Sequence, residues 1–241
     1  MIHLSQITLA TERYPTREYY PFSLPLIQQT GEVPFPTPIT FFVGENGTGK
    51  STLLEAITHA CGIHIWGERP TGRITHNPYE HALQHFVRPQ WTDGIVPGSF
   101  FAGQLFEHFA ELLDRIAEND PGLLDYFGGK SLVTQSHGES LMSFFASRYR
   151  IKGLYLLDEP ETALSPRRQV ELARLLTAMA AAGHAQFIVA THSPILLACP
   201  GATIYSFDGP ALSTLPYEQT GHYQLYKNFL DSPESFLDEN A

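Results

Sequence analysis

A glycine-rich run between an apolar segment and a helical pattern contains the residue types that bind a phosphate chain. It reads Gly-Glu-Asn-Gly-Thr-Gly-Lys-Ser over residues 44–51. Its small residues let successive backbone N–H groups surround a polyphosphate, and the helix that follows points its positive end at the same anion. Lys50 is placed to reach the β and γ phosphates, and Ser51 to give its hydroxyl to Mg²⁺. The predicted nucleotide-binding residues are Gly44, Glu45, Asn46, Gly47, Thr48, Gly49, Lys50, Ser51 and Thr52.

Two adjacent carboxylates follow a second apolar segment. Residues 154–157 lead directly into Asp158 and Glu159, and parallel sheets place their ligand sites at the carboxyl ends of strands. We expect Asp158 to hold Mg²⁺ through water and Glu159 to act as the general base for the attacking water. With the glycine-rich run, the pair indicates hydrolysis of a nucleoside triphosphate.

Two further polar segments extend this chemistry. Residues 136–140 read Ser-His-Gly-Glu-Ser and open a predicted helix, so the serine and the backbone amides can bind an anion. A chain rarely folds such a segment back onto its own phosphate loop. His192 directly follows a third apolar run, which predicts that its imidazole lies at the same sheet edge as Glu159 and the γ-phosphate.

The elements that must position these residues alternate between strands and helices. The apolar runs 39–43, 154–157 and 186–190 are bounded by turn residues and predict buried strands of a mainly parallel sheet. Helical periodicity is predicted after the phosphate loop, from Phe100 to Ile116, from about Gly138 to Tyr149, and from Pro166 to Met179. The remaining predictions are an edge strand at 2–9, an irregular connection at 14–38, a peripheral hairpin-like region at 62–97 and a terminal hairpin at 203–215.

Composition narrows the class of protein. The 241 residues suffice for one large domain, and no apolar stretch approaches the roughly 20 residues that span a bilayer. The first residues lack the pattern of a secretory signal, so we expect a cytoplasmic protein without membrane insertion. Cys61 and Cys199 are expected to be reduced and buried. A net charge of −10 disfavours direct nucleic-acid binding by this chain alone.

In this order, the segments resemble the ATP-binding cassette (ABC) family. The resemblance rests on the phosphate loop, on residues 136–139, which match the family's signature segment, on the Leu-Leu-Asp-Glu-Pro strand end, on Ala-Leu-Ser-Pro at 163–166, and on His192, which matches the family's switch histidine. It covers about residues 35–200. It implies ATP and Mg²⁺ as cofactors, and a homodimer in which the signature of one subunit closes over ATP bound to Lys50 of the other. It also implies that His192 contacts the γ-phosphate. The composite site would add Ser136, His137, Gly138 and Glu139 to the nucleotide-binding residues.

The chain departs from transporter ATPases in its signature, which reads Ser-His-Gly-Glu where those enzymes have Ser-Gly-Gly-Gln. The family's Mg²⁺-sensing and catalytic glutamine is assigned to Gln104, with Gln90 as the alternative. The Gln104 segment FFAGQLF resembles one in small stand-alone ATPases of the AAA and chromosome-maintenance-like branch. For the adenine contact, the sequence leaves three choices open: Tyr14, Tyr19 and Tyr20.

These observations predict a single α/β domain of the P-loop NTPase fold over residues 1–241, with an antiparallel edge region. We expect a core of about 1–75 and 151–215, a helical sub-domain of about 98–150 that carries the signature, and a C-terminal helix with an acidic tail at 216–241. The interval between Lys50 and Ser136 shows no sustained heptads, so we expect no long coiled-coil arms. The predicted function is an ATPase dimer whose closure regulates or remodels a partner protein, with DNA repair and defence as settings. The alternatives are a transporter motor subunit and an ATP-dependent dimerisation module with little turnover.

Overall fold

The computed structural model describes residues 1–65, 77–103, 106–117, 122, 124, 129, 131 and 137–237. Its main element is a six-stranded sheet formed by β3 (Ile39–Val43), β5 (Gly98–Ala102), β6 (Gly153–Asp158), β7 (Ala185–Ala190), β8 (Thr203–Ser206) and β9 (Ser213–Thr214). The strands lie in the order β5-β6-β7-β3-β8-β9, and every neighbouring pair is parallel except β8 with β9. The predicted parallel sheet and terminal hairpin are confirmed.

Both faces of this sheet are covered, which explains why its inner strands are mainly apolar. Along β3, Phe42 packs into one core cluster with the antiparallel sheet described next. Its neighbours Phe41 and Val43 pack into the other cluster, among the helices of the opposite face. Because consecutive side chains of a strand point to opposite faces, each of the five parallel strands contributes to both clusters.

A second sheet of three antiparallel strands has the order β2-β1-β4. It comprises β1 (Leu4–Leu9), β2 (Glu32–Pro34) and β4 (Val87–Trp91). The prediction of an edge strand at the amino terminus is therefore wrong, because β1 lies between two partners. Both partners come from segments expected to be irregular or only hairpin-like, and their pairing depends on contacts distant in sequence.

The helices flank the sheets, and two of them begin at prolines that each directly follow a serine. They are α1 (Pro25–Gln29), α2 (Lys50–Ala60), α3 (Phe106–Ala117), α4 (His137–Arg148), α5 (Pro166–Ala181), α6 (Pro194–Leu197), α7 (Gly221–Asp231) and α8 (Glu234–Leu237). Ser193 caps α6 by accepting from the N–H of Leu196 at 3.2 Å. None of the helices in the described ranges has the length and hydrophobicity needed to cross a bilayer.

The structure differs from the sequence prediction at Phe100 and Phe101. Both lie in β5, which pairs in parallel with β6 at the end of the central sheet, and the helix begins only at Phe106. A short apolar run is compatible with either a strand or a buried helix, and here the pairing with β6 decides. The division into a core and a helical sub-domain remains a prediction.

Candidate functional site

The residues predicted to bind and hydrolyse the nucleotide lie at one edge of the central sheet, where five parallel strands have their carboxyl ends. The phosphate loop follows β3, Asp158 ends β6, and His192 follows β7 by two residues. The strand register places Asp158 opposite Ala190 and also opposite Ala102, the last residue of β5. The sequence argument that these segments share an edge is therefore supported by the pairing of the strands.

The phosphate loop has the geometry of a backbone cradle. Residues 45–47 are exposed at its crest, whereas Gly49 is buried where the loop enters α2. Gly49 has φ 101°, a left-handed conformation that side chains disfavour, and so turns the chain into the helix. Thr48 Oγ1 donates to the carbonyl oxygen of Glu45 at 2.8 Å. This bond closes the loop on itself and leaves the helix start facing the space the loop surrounds.

Lys50 lies beneath this loop and is 4% exposed. Its Nζ donates to the carbonyl oxygens of Gly44 at 2.7 Å and Glu45 at 2.8 Å. Burial lowers the pKa of the ammonium, and the nearby carboxylates of Glu159 and Asp158 oppose that shift. An ammonium has three N–H donors, so one remains for an anionic ligand in the loop.

Ser51 and Asp158 meet as the Mg²⁺ assignment requires. The Ser51 hydroxyl donates to Asp158 Oδ1 at 3.0 Å, which places a hydroxyl and a carboxylate oxygen side by side below the phosphate loop. Burial raises the pKa of Asp158 to about 7, and the neighbouring carboxylates of Glu159, Glu55 and Glu161 act in the same direction, because desolvation and like charges both disfavour the ionised form. A divalent cation would offset both effects. Hydroxyl and carboxylate oxygens are ligands that Mg²⁺ accepts, and the residues present therefore fit it.

Glu159 turns the chain sharply at the end of β6. Its backbone has φ 45° and ψ 54°, held because its N–H donates to Ala190 O at 2.9 Å and its carbonyl oxygen accepts from Thr162 Oγ1 at 2.9 Å. Its Oε1 lies 3.5 Å from Nε2 of His192. The predicted base and the predicted switch histidine are thus neighbours.

Three residues that the sequence reasoning missed contact His192 or the phosphate loop. The backbone N–H of His192 donates to Glu161 Oε1 at 2.6 Å, and His192 Nδ1 lies 2.9 Å from Nε2 of His222 on α7. Asp208 accepts from the N–H of Glu45 at 2.9 Å and so supports the phosphate loop. Asp208 follows a predicted strand, so the rule of carboxyl ends would have found it. No motif marks His222.

The signature segment lies partly outside the described residues, which exclude Ser136 and the side chain of His137. Gly138 and Glu139 lie in the first turn of α4, where backbone N–H groups have no partner within the helix. Glu139 is exposed. A Cβ added to Gly138 would lie 3.8 Å from the Arg168 side chain of α5, so α4 opens beside the start of α5.

Gln104 also lies outside the described residues, but its neighbour Gly103 is placed. A Cβ on Gly103 would lie 2.8 Å from the carbonyl oxygen of Glu159 and closer still to Thr162 Oγ1, so only glycine allows this approach. Gln90, the alternative, is exposed in the antiparallel sheet and pairs with Gln6. The chain immediately before Gln104 therefore lies against the predicted base.

Of the three tyrosines considered for adenine, Tyr20 lies against the helix of the phosphate loop. Its hydroxyl forms a hydrogen bond with Thr52 Oγ1, in the first turn of α2. Tyr14 instead packs against the rings of Phe22 and Phe86, with centroids 4.6 and 5.5 Å away. Tyr14 is thus a packing residue, whereas Tyr20 borders the nucleotide-binding segment.

Beside His192, a groove of about 570 Å³ separates α7 from the starts of α5 and α6. Its lining is largely apolar and aromatic. The residues around it are Glu161, Pro166, Gln169, His192, Ser193, Pro194, Ile195, Tyr217, Tyr223, Tyr226, Lys227 and Leu230. The groove therefore opens beside the residues that fix His192.

Comparison with protein families gives two matches. The model described as "AAA domain" matches residues 22–86, and the model described as "AAA domain, putative AbiEii toxin, Type IV TA system" matches residues 138–198. The first range contains the phosphate loop. The second contains Asp158, Glu159 and His192.

Individual proteins show the same similarity. The thiamine import ATP-binding protein ThiQ of Cereibacter sphaeroides is 29% identical over 173 residues, which are 63% of this chain and 69% of that protein. Among solved structures, cbiO1 from Clostridium perfringens, part of the ABC transporter complex cbiONQ, has a TM-score of 0.55 at 15% identity, over 98% of each chain. An SMC head bound to the C-winged helix domain of ScpA has a TM-score of 0.50 at 14% identity, over 89% of this chain and 97% of that one. The two structures share the fold.

Proposed function

We propose that this chain, a P-loop ATPase of the ABC and AAA type, hydrolyses Mg-ATP in a head-to-tail homodimer whose closure regulates a partner protein. The observation that carries the proposal is the meeting of Lys50, Asp158, Glu159 and His192 at one sheet edge. These residue types are the ones that bind phosphates, hold a divalent cation and move a proton. We place the protein in the cytoplasm, where its two free, buried cysteines would stay reduced.

Each residue has a role that its contacts support. The loop backbone and Lys50 bind the β and γ phosphates, and Ser51 and Asp158 hold Mg²⁺, which when bound neutralises charge on the phosphates. Glu159 accepts the proton of the attacking water. His192, 3.5 Å from Glu159, offers its Nε2 to the γ-phosphate.

We assign the Mg²⁺-sensing glutamine to Gln104. Gly103 lies against the carbonyl of Glu159, and Ala102 pairs with Asp158. The two residues that precede Gln104 in the chain therefore lie beside the carboxylates at the edge of the sheet. Gln90, by contrast, is exposed in the other sheet.

Closure of the dimer would complete the site. In this proposal, Ser136, His137, Gly138 and Glu139 of one subunit bind the γ-phosphate held by Lys50 of the other. The first turn of α4 supports this role, because N–H groups at a helix start have no partner within the helix and the helix dipole favours an anion there. Neither subunit would then hydrolyse ATP alone. We leave nucleic acid out of the proposal, since the net charge is −10.

The experiment that tests the ATPase assignment is phosphate release by wild type, Glu159→Gln and a control, Glu32→Gln, at an exposed glutamate of β2. Loss of a positioned general base should lower turnover about 100-fold or more, while calorimetry should show ATP binding retained. The control should match wild type. Undiminished turnover in Glu159→Gln would remove Glu159 from its role. Wild type that binds ATP and dimerises without releasing phosphate would instead support the dimerisation module.

A transporter motor is the second candidate, and the similarity to ThiQ, an import ATP-binding protein, favours it. Co-purification of the tagged chain from detergent-solubilised membranes distinguishes the two. A stoichiometric membrane permease in the purified complex would establish the motor. A soluble partner that binds only the ATP-loaded form would establish the switch, and the family model that names a toxin system would then point to defence.

A further inference from the structure

His192 is held by contacts at its backbone and on both sides of its ring. Glu161 accepts from its backbone N–H at 2.6 Å, His222 meets its Nδ1 at 2.9 Å, and Glu159 lies 3.5 Å from its Nε2. Nε2 is buried and has no hydrogen-bond partner among the described residues. One ring nitrogen is thus engaged by α7, and the other is directed toward the predicted base.

The proton on each ring follows from what each nitrogen faces. Burial lowers the pKa of both imidazoles, so both rings are neutral near pH 7, and each has one N–H and one acceptor. If His192 Nδ1 carried its proton, His192 Nε2 would present a lone pair to the Glu159 carboxylate, and two acceptors would face each other. If His222 Nε2 donates to His192 Nδ1, then His192 Nε2 carries the N–H and faces Glu159 as a donor.

The capped start of α7 fixes the position of His222 beside His192. Thr220, 1% exposed, caps α7: its Oγ1 accepts from the N–H of Tyr223 at 3.2 Å and donates to the carbonyl oxygen of Tyr217 at 2.8 Å. His222 is the second residue of this capped helix. In the described part of the chain, its ring hydrogen-bonds His192 alone. A fixed helix start therefore sets the position of the donor.

We propose that His222 is a positioning residue for the ATPase reaction, and that its Nε2–H fixes the His192 tautomer in which Nε2–H faces Glu159 and the γ-phosphate. The inference rests on the proposed function for its catalytic consequence, but the tautomer itself does not depend on turnover. His222 acts through His192, so its loss should lower kcat and leave the KM for ATP unchanged. Hydrogen-bond partners of metal-bound histidines fix the ring tautomer in this way, and their loss has effects of about 10-fold to 100-fold.

The kinetic test compares three substitutions at this position. His222→Leu removes the donor and should lower kcat at least about 10-fold. His222→Gln keeps an N–H donor and should recover most of that loss. His222→Glu offers only acceptors and should be as impaired as His222→Leu. The matched control, Asn228→Leu, changes an exposed residue of the same helix and should leave kcat unchanged. Equal activity of the glutamine and leucine variants, or full activity of the leucine variant, would overturn the proposal.

The tautomer is read directly from ¹⁵N NMR of histidine-labelled protein without nucleotide. The 11 histidines are assigned with the His222 variants and His192→Gln. We expect His192 to be protonated at Nε2 in wild type and in His222→Gln, and to lose that preference in His222→Glu. Protonation of wild-type His192 at Nδ1 would contradict the inference whether or not the protein hydrolyses ATP. Absent ATPase activity with the expected tautomer would instead count against the proposed function alone.

Discussion

At the scale of single residues, the backbone of Glu159 is under strain. Within the described ranges, Glu159 is the only residue other than glycine with positive φ. A side chain in this left-handed conformation costs about 1 kcal/mol or more. Such strain persists where surrounding contacts enforce it, commonly at functional sites. Here the bonds to Ala190 and Thr162 supply that enforcement, so the position of the base is obtained at the expense of stability.

This strain predicts the order of stability of two variants. Glu159→Ala and Glu159→Gly both remove the carboxylate, which lies near those of Asp158 and Glu161. Only glycine also relieves the backbone. We expect the glycine variant to exceed the alanine variant by about 1 kcal/mol in free energy of unfolding, measured by urea denaturation. Neither should hydrolyse ATP. Equal stability of the two variants would show that the backbone is unstrained.

Site residues that belong to contiguous motifs could be predicted from the sequence. Residues that contact these motifs only in the folded structure could not. The phosphate loop, Asp158 and Glu159 each directly follow a recognisable strand. His222 lies 30 positions from His192 in a helix without a motif, so only the packing of α7 reveals the contact. The same holds for the bond between Tyr20 and Thr52.

At the scale of elements, one buried side chain joins the two sheets. Gln186 of β7 is 0% exposed, and its Oε1 accepts from the backbone N–H groups of His3 at 2.7 Å and Leu4 at 2.8 Å. Its Nε2 donates to the carbonyl oxygen of Leu4 at 2.9 Å. The start of β1 thus obtains partners for its backbone from the central sheet.

Gln186→Leu should therefore be strongly destabilising. Leucine has a similar volume but leaves three backbone groups without partners, and each buried, unsatisfied group costs about 1–3 kcal/mol. We expect a loss of at least about 3 kcal/mol in free energy of unfolding, measured by chemical denaturation. The same substitution at exposed Gln29 of α1 should change stability by less than about 0.5 kcal/mol. A Gln186→Leu protein as stable as the control would mean that β1 does not depend on this bridge.

Sequence patterns predicted the elements that follow from one contiguous stretch of sequence. They failed where a strand pairs with segments that are distant along the chain. Strand, loop and helix at residues 39–60 follow from one contiguous pattern. The role of β1 as a central strand depends on β2 and β4, which pair with it from separate segments. Phe100 and Phe101 continue into further apolar residues, so periodicity alone could not separate β5 from α3.

At the scale of the whole molecule, the catalytic groups and the signature occupy different parts of the chain. The carboxyl edge of the sheet gathers Lys50, Asp158, Glu159 and His192, while α4 opens beside α5 near Arg168. In the proposed dimer, the signature of each subunit serves the ATP of the other. The fold class was predictable because alternating strands and helices favour a parallel sheet.

The most direct test is the solution mass of Glu159→Gln, measured by light scattering coupled to size exclusion, with and without Mg-ATP. The account predicts a monomer of 26.9 kDa without nucleotide and a dimer of twice that mass with it. Adding Ser136→Arg should keep the protein monomeric with ATP, because the signature would no longer fit the opposing phosphate. A mass that does not respond to ATP, or a dimer unaffected by Ser136→Arg, would contradict the composite site.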